Sequence, residues 1–411
     1  MKWSESVISN KGFMTVRHLV LQGTNYDIGK KLAEIAVERH DLSKETVTVS
    51  DPVVTLARHT YFARNYPILL ERARGVAAAL KIDFKDFIPT EIPYNQGMPV
   101  FSCSVVYYPP TTTESGDGCL SRNYDFPTGT LPGIMGIPLP AEAGDQLSPV
   151  MGDPYILEMH PDSGYSSLCL TSFDLLSGVL DGINSKGLIV AVNGDETAVV
   201  DPSVMVSGQL KVGLHELQGM RLLLDTCATV KEAKETLLVN THFHSLMPCH
   251  YIIADQEGNS FVYEYSNVNT EYIINGSTAP FVITNHPLHQ FPSVDDFPEQ
   301  MSTLETGTSS FERYKTLVKL IESEDPPYTT DFMKKANADV SVSKVVSWIP
   351  DSEREQLAAS PGLARTLWHC IYNNTSNTAK RLDIKFYVCD EPTEKGNFTE
   401  QYTKYYQFNL K

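Results

Sequence analysis

Two strand-like segments around a stretch that cannot pair constrain this chain more than any other feature. Val100 to Tyr108 is rich in β-branched and aromatic residues and stops at Pro109-Pro110, where missing backbone donors end a ladder. Ser115-Gly116-Asp117-Gly118 is turn chemistry, and Cys119 to Phe126 returns. The sequence therefore predicts a β-hairpin that carries Arg122 and Asp125 back towards Cys103. A thiol attacks as its thiolate, which a nearby guanidinium favours, and a carboxylate can orient the group that takes the proton. Arg122 and Asp125 stand three apart, so a regular strand turns them to opposite faces. For both to serve one site the strand must end or bulge near Pro127.

Composition narrows the remaining choices. A chain of 411 residues with 42% hydrophobic and 20% charged residues can bury a large core and is not disordered. Its formal charge of -17 disfavours nucleic acid and anionic membrane surfaces as partners, because both repel it. No apolar h-region stands near Met1 and no run of apolar residues is long enough for a membrane span, so a cytoplasmic protein is expected. The seven cysteines are odd in number and lack CxxC spacing, so they read as mostly free thiols. The sequons at Asn275, Asn373, Asn374 and Asn397 would matter only in a secreted chain.

Read in order, Phe13 to Gln22 predicts a strand, and Thr24 or Asn25 caps a helix running to about Arg39. Apolar spacing predicts a second helix over Asn65 to Leu80, which leaves residues 1–102 a largely helical segment ahead of a 103–411 core. Strands are expected at Tyr155–Met159, Ser166–Thr171, Gly178–Ile183 and Leu188–Val192, and helices at Gly213–Thr226 and Thr229–Leu238, the latter capped by Thr229. Cys249–Asp255, Phe261–Tyr265 and Ala279–Thr284 read as strands and Ser309–Ser323 as an amphipathic helix carrying Arg313. Ala364–Tyr372 and Ala379–Val388 read as the last two strands. Strands grouped around helices suggest α+β with two stacked sheets.

The order of these segments resembles the linear amide hydrolases of the N-terminal-nucleophile superfamily. The nearest branch is acyl-coenzyme A:6-aminopenicillanate acyltransferase-like, and the choloylglycine hydrolases are more distant. The resemblance rests on the run Gly23 to Gly29, Cys103-Ser104, the run Arg122 to Phe126, the run Asp181 to Leu188 with Asn193, Ile253-Ala254-Asp255, Thr284-Asn285-His286, and the run Ser309 to Tyr314. It implies an αββα four-layer sandwich of two antiparallel sheets, made as an inactive precursor that cuts itself between Ser102 and Cys103. The freed α-amine, with a pKa of roughly 7.7–8.0, would then serve Cys103 as general base.

Carried over by position, the resemblance makes Cys103 the nucleophile, Asp125 the holder of its amine and Arg122 the support of its thiolate. Asn193 would donate to the oxyanion, Asn285 would bond the amine or the substrate, and Arg313 would brace the site from its helix. Ser102 and Ser121 stand where the acyltransferases have glycine. The implied substrate is a small N-acylated linear amide, with an acceptor amine where transfer replaces hydrolysis. No cofactor or metal is called for, and oligomeric state is left open.

Competing readings weigh less. Cys119 is the rival thiol but reads as a small buried residue. His242-x-His244 with Cys249-His250 lacks a matching fourth metal ligand and reads as strand and turn. For a Cys–His protease, no spacing singles out His215, His286 or His369. From another class, an unprocessed protein of the same fold, stalled at Ser102, would bind a small ligand without turnover.

Overall fold

The structure is a computed structural model and describes residues 1–40, 42–43, 51–86, 102–134, 147–172, 175–176, 178–195, 212–243, 249–265, 270–298, 310–348, 364–374, 379–393 and 397–410. The amino-terminal elements are β1 (Lys2–Ser9), β2 (Val16–Gly23), α1 (Asn25–Arg39), α2 (Pro52–Asn65) and α3 (Pro67–Leu80). The hairpin strands β3 (Ser102–Tyr108) and β4 (Cys119–Pro127) follow, then β5 (Tyr155–Pro161), β6 (Ser167–Thr171), β7 (Asp181–Asn184) and β8 (Ile189–Gly194). Two helices, α4 (Glu216–Thr226) and α5 (Val230–Val239), precede β9 (Cys249–Ala254), β10 (Ser260–Tyr265), β11 (Glu271–Asn275) and β12 (Phe281–Ile283). The chain closes with α6 (Ser310–Glu322), α7 (Thr330–Ala338), α8 (Val342–Val346), β13 (Ala364–Asn373), β14 (Lys380–Pro392), β15 (Phe398–Tyr402) and β16 (Tyr406–Leu410).

Nine strands form one sheet in the order β1-β2-β5-β6-β7-β8-β9-β10-β11, and a second runs β12-β3-β4-β13-β14-β15 with β16 also on β14. Among these described strands the pairings are antiparallel except that of β2 with β5. On β3, Cys103, Val105 and Tyr107 join the core between the sheets, while Val106 and Tyr108 pack outward with Leu317 of α6 and Met333 of α7. This strict alternation buries both faces of β3, which is why its seven residues are all buried and the strand reads as an unbroken apolar run. The first sheet is covered on its other face by α1, α3 and α4, so the layers are the αββα sandwich implied by the resemblance.

The helix expected at Asn65–Leu80 is α3, which starts two residues later, and α2 before it is an addition to the expected set. Proline cannot donate inside a helix, so Pro67 starts α3 and leaves Asn65 at the end of α2, which Asp51 caps. Thr229 caps α5 by accepting from the Glu232 amide, as expected. Glycines set the close crossing of α1 and α3. A Cβ on Gly29 would lie 2.1 Å from the Arg72 carbonyl oxygen, and one on Gly75 would lie 2.0 Å from that of Tyr26. The last two strands are β15 and β16 rather than the pair ending near Val388, and β1 and β11 are likewise additions to the expected set. All four are largely exposed or half-exposed, with polar residues on the outer face, so little apolar signal marks them. Ser309, the expected start of α6, lies outside the described residues, as do Val100 and Phe101.

Candidate active site

Cys103 sits one residue inside β3, opposite Tyr124 of β4, with 1% of its surface exposed. On its other side, β12 pairs with β3 only at Val105, Val106 and Tyr107. Continuing that register would set residue 285 against residue 103. The strand has ended there, and the Asn285 side chain takes over. Its Oδ1 accepts from the Cys103 amide at 2.7 Å and from Arg313 Nη2 at 2.8 Å, while its Nδ2 donates to Gly194 O at 2.7 Å. Ser310, at the first turn of α6, anchors Asn285 by accepting from its backbone amide at 2.7 Å.

Arg313, from the same helix, donates to the Cys103 carbonyl oxygen and, at 2.9 Å, to Ser104 Oγ. Both backbone atoms of Cys103 are thereby held by side chains, a pattern that regular sheet pairing would not need. From the inner face, Arg122 Nη2 lies 3.4 Å from Cys103 Sγ and 2.5 Å from Val192 O. Its Nη1 donates to Leu180 O at 2.9 Å and to Asp181, which also accepts from the Tyr372 hydroxyl. Asp181 holds Arg122 firmly charged and ties the two sheets together directly beneath the thiol. Burial raises the Cys103 thiol above its ordinary value, with Arg122 pulling the other way.

Asp125 lies on the opposite face of β4 from Arg122, as the three-residue spacing requires. The bulge expected near Pro127 falls instead in the neighbouring strand, between Thr366 and Trp368 of β13, and β4 runs regularly to its end. Asp125 therefore flanks the Ser102–Cys103 peptide from the outer face as the cross-strand partner of Ser102. Its Oδ1 accepts from Thr366 Oγ1 at 2.6 Å, and its buried Oδ2 has no hydrogen-bond partner among the described residues. Burial, opposed by Arg313, Thr366 and Arg122, pushes this carboxyl up to about 7. Asn193 comes to the same region at the end of β8. Its Nδ2 donates to Thr284 O at 3.1 Å, and its Oδ1 is buried without a hydrogen-bond partner among the described residues.

Four of the six expected residues, Cys103, Arg122, Asn285 and Arg313, are thus joined by direct hydrogen bonds. Asn193 is adjacent through Thr284 and Gly194, and Asp125 is separated by the thickness of the strand. Sequence reasoning missed Asp181, Ser310, Thr366 and His250, whose Nε2 donates to Thr284 O at 2.7 Å. An acid inside the run Val179-Leu180-Asp181-Gly182-Ile183, which has no other polar side chain, is the one available signal, since a buried carboxylate needs a partner. Cys119 faces outward, accepts from Asn373 Nδ2 at 3.5 Å and is pushed by burial up to about 12, as a packing thiol would be. His242 bonds Leu237 O at 2.8 Å, while His244 lies outside the described residues.

A model of the family described as Acyl-coenzyme A:6-aminopenicillanic acid acyl-transferase matches residues 111–350, more than half of the chain. The chain belongs to this acyl-transferase family. The matched span contains Arg122, Asp125, Asn193, Asn285 and Arg313 and begins beyond Cys103. No curated protein matches significantly. Among solved structures, the chain is similar to penicillin V acylase from Agrobacterium tumefaciens at 18% identity, over 69% of this chain and 82% of that one, with a TM-score of 0.41. It is also similar to a variant of conjugated bile acid hydrolase from Clostridium perfringens at 14% identity, over 75% and 97% of the two chains, with a TM-score of 0.45. Membership of the acyl-transferase family makes acyl transfer or amide cleavage the chemistry to explain with this site.

Proposed function

We propose that the protein is a self-processing cysteine amidase or N-acyltransferase acting on a linear amide of a small N-acylated substrate. The observation that carries this reading is the treatment of Cys103. Its amide, carbonyl and thiol are engaged by Asn285, Arg313 and Arg122, three side chains from widely separated parts of the chain.

In the first reaction, Cys103 Sγ attacks the carbonyl carbon of Ser102. The S–C bond forms, the Ser102–Cys103 C–N bond breaks, and the departing amine keeps the proton that the thiol gives up. Water then hydrolyses the thioester, leaving a carboxylate on Ser102 and a free amine on Cys103. Asn285 holds the amide of the scissile peptide and Arg313 the carbonyl on the other side of Cys103 during this step, and Asp125, beside Ser102, receives the new amino group.

In turnover the Cys103 amine takes the thiol proton, the thiolate attacks the substrate carbonyl, and the leaving amine takes that proton. Asn193 donates to the developing oxyanion. Water, or an acceptor amine where water is excluded, resolves the acyl-enzyme.

The second reading, a stalled precursor that binds a small ligand, draws on the buried Cys103 thiol, raised above its ordinary value, and on Ser102 where the acyltransferases have glycine. Intact mass of the purified protein beside Cys103→Ala separates the two. Chains of residues 1–102 and 103–411 from the wild type, with an uncut variant, support self-processing. An uncut wild type without amidase activity withdraws the catalytic roles. The absence of nucleic-acid or membrane partners belongs to this proposal on charge alone.

A further inference from the structure

On the far side of the first sheet from Cys103, α1, α3, β5 and residues Leu175, Leu176, Gly178 and Val179 between β6 and β7 border a cleft of about 490 Å³, open solvent at its mouth included. Its walls are apolar, with Leu32 from α1, Leu69 and Val76 from α3, and Met159 from β5. Its polar end carries Arg72 and Arg221. The side of the sheet is set by register. Leu157, Cys169 and Gly182 are cross-strand neighbours, and a Cβ on Gly182 would lie 2.9 Å from Leu224 of α4, whereas the adjoining Asp181 turns inward to Arg122. The cleft and the Cys103 thiol are therefore separated by the sheet itself.

The charge at the polar end does not balance. Arg72 makes a bidentate pair with Asp225 at 2.6 and 3.0 Å, and Arg221 Nη2 reaches the same carboxylate at 2.9 Å. The Tyr66 hydroxyl donates to Asp225 at 2.5 Å, and Arg221 Nη2 also donates to Ser167 Oγ at 2.9 Å. Cys169 lies 3.7 Å from Arg221 Nη1 and is a neutral thiol, pushed by burial up to about 12. Two guanidinium groups, each 5% exposed, thus share one carboxylate, and Arg221 Nε is buried with no hydrogen-bond partner among the described residues. A cation held this way in a low-dielectric wall favours an added anion.

We propose that this cleft binds a monocarboxylate with an unbranched apolar tail, the carboxylate against Arg221 and Arg72 and the tail between α1, α3 and the sheet. One surplus positive charge matches one carboxylate, and a dianion would leave negative charge buried.

The test is isothermal titration of the whole protein with sodium octanoate, and with octanol as the same tail without the charge. Octanoate is expected to saturate one site, with octanol binding at least about tenfold more weakly, the worth of a charge-assisted hydrogen bond. Val76→Trp and Leu69→Trp, which fill the cleft from two positions, should each weaken octanoate at least about tenfold where the melting transition is kept, and Cys103→Ala should bind as wild type. Absence of saturable octanoate binding by the wild type overturns the proposal. So does equal affinity for octanol, undiminished binding by folded filled variants, or loss of binding in Cys103→Ala. The readout is equilibrium binding, so it stands apart from whether the chain cleaves itself.

Discussion

The side-chain oxygen of Asn285 stands 2.7 Å from the amide nitrogen of Cys103, in the position a backbone carbonyl would occupy had β12 continued. A strand that stops two residues early exchanges a fixed ladder bond for a side chain. That leaves the peptide before Cys103 bonded to a side chain rather than to a neighbouring strand.

Asn285→Ala removes the acceptor shared by Cys103 and Arg313 and leaves two buried donors facing an emptied position. The expected cost is about 1–3 kcal/mol of stability per unsatisfied donor. Denaturant titration of this variant in the Cys103→Ala background measures it without interference from cleavage. An unchanged midpoint would remove Asn285 from the network.

Asn193 is the residue expected to stabilise the oxyanion. Asn193→Ala should lower kcat by about 100- to 1000-fold with KM little changed, as loss of one preorganised donor does. Steady-state kinetics on the processed enzyme read the split, and a rise in KM at constant kcat would make Asn193 a substrate-binding group instead.

The Asp125 carboxyl, raised from its ordinary 3.8 to about 7, sets a sign for pH dependence. The folded state holds the proton more tightly than the unfolded state, so Asp125 favours folding fully below about pH 4. That contribution is lost as pH rises from about 4 through about 7. Asp125→Asn should flatten the fall of stability with pH across that window. Unfolding free energies at pH 4.5, 6 and 7.5 for both proteins in the Cys103→Ala background give the difference, and parallel slopes would contradict the raised value.

Asp181 neutralises Arg122 between the sheets. Asp181→Asn leaves a buried guanidinium without its counter-charge and should cost about 3–5 kcal/mol, the range for breaking a buried pair from one side. Thermal melting shows the loss, while a variant as stable as wild type would mean that Leu180 O and Val192 O suffice.

Much of this site is legible in the chain. The β3–β4 hairpin announces itself through Pro109-Pro110 and the glycine turn, because strand ends are a local matter of missing donors and positive φ, as Gly116 shows. Cys103, Arg122, Asn285 and Arg313 stand in short motifs, and the structure joins them. What fails to show are exposed edges such as β1 and β15, which bury too little apolar surface to imprint a period, and α2, whose exposed Val53 and Leu56 blur its apolar stripe.

The sequence alone determined the alternation that sends Arg122 and Asp125 to opposite faces, since a strand's side-chain period is a property of its backbone. Only the tertiary structure decided what each meets there. Asp181, Ser310 and Thr366 are 59, 25 and 241 residues away from the partners they hold, Arg122, Asn285 and Asp125. Contacts across such separations arise when the two sheets and their helices close on one another, and no local pattern records them.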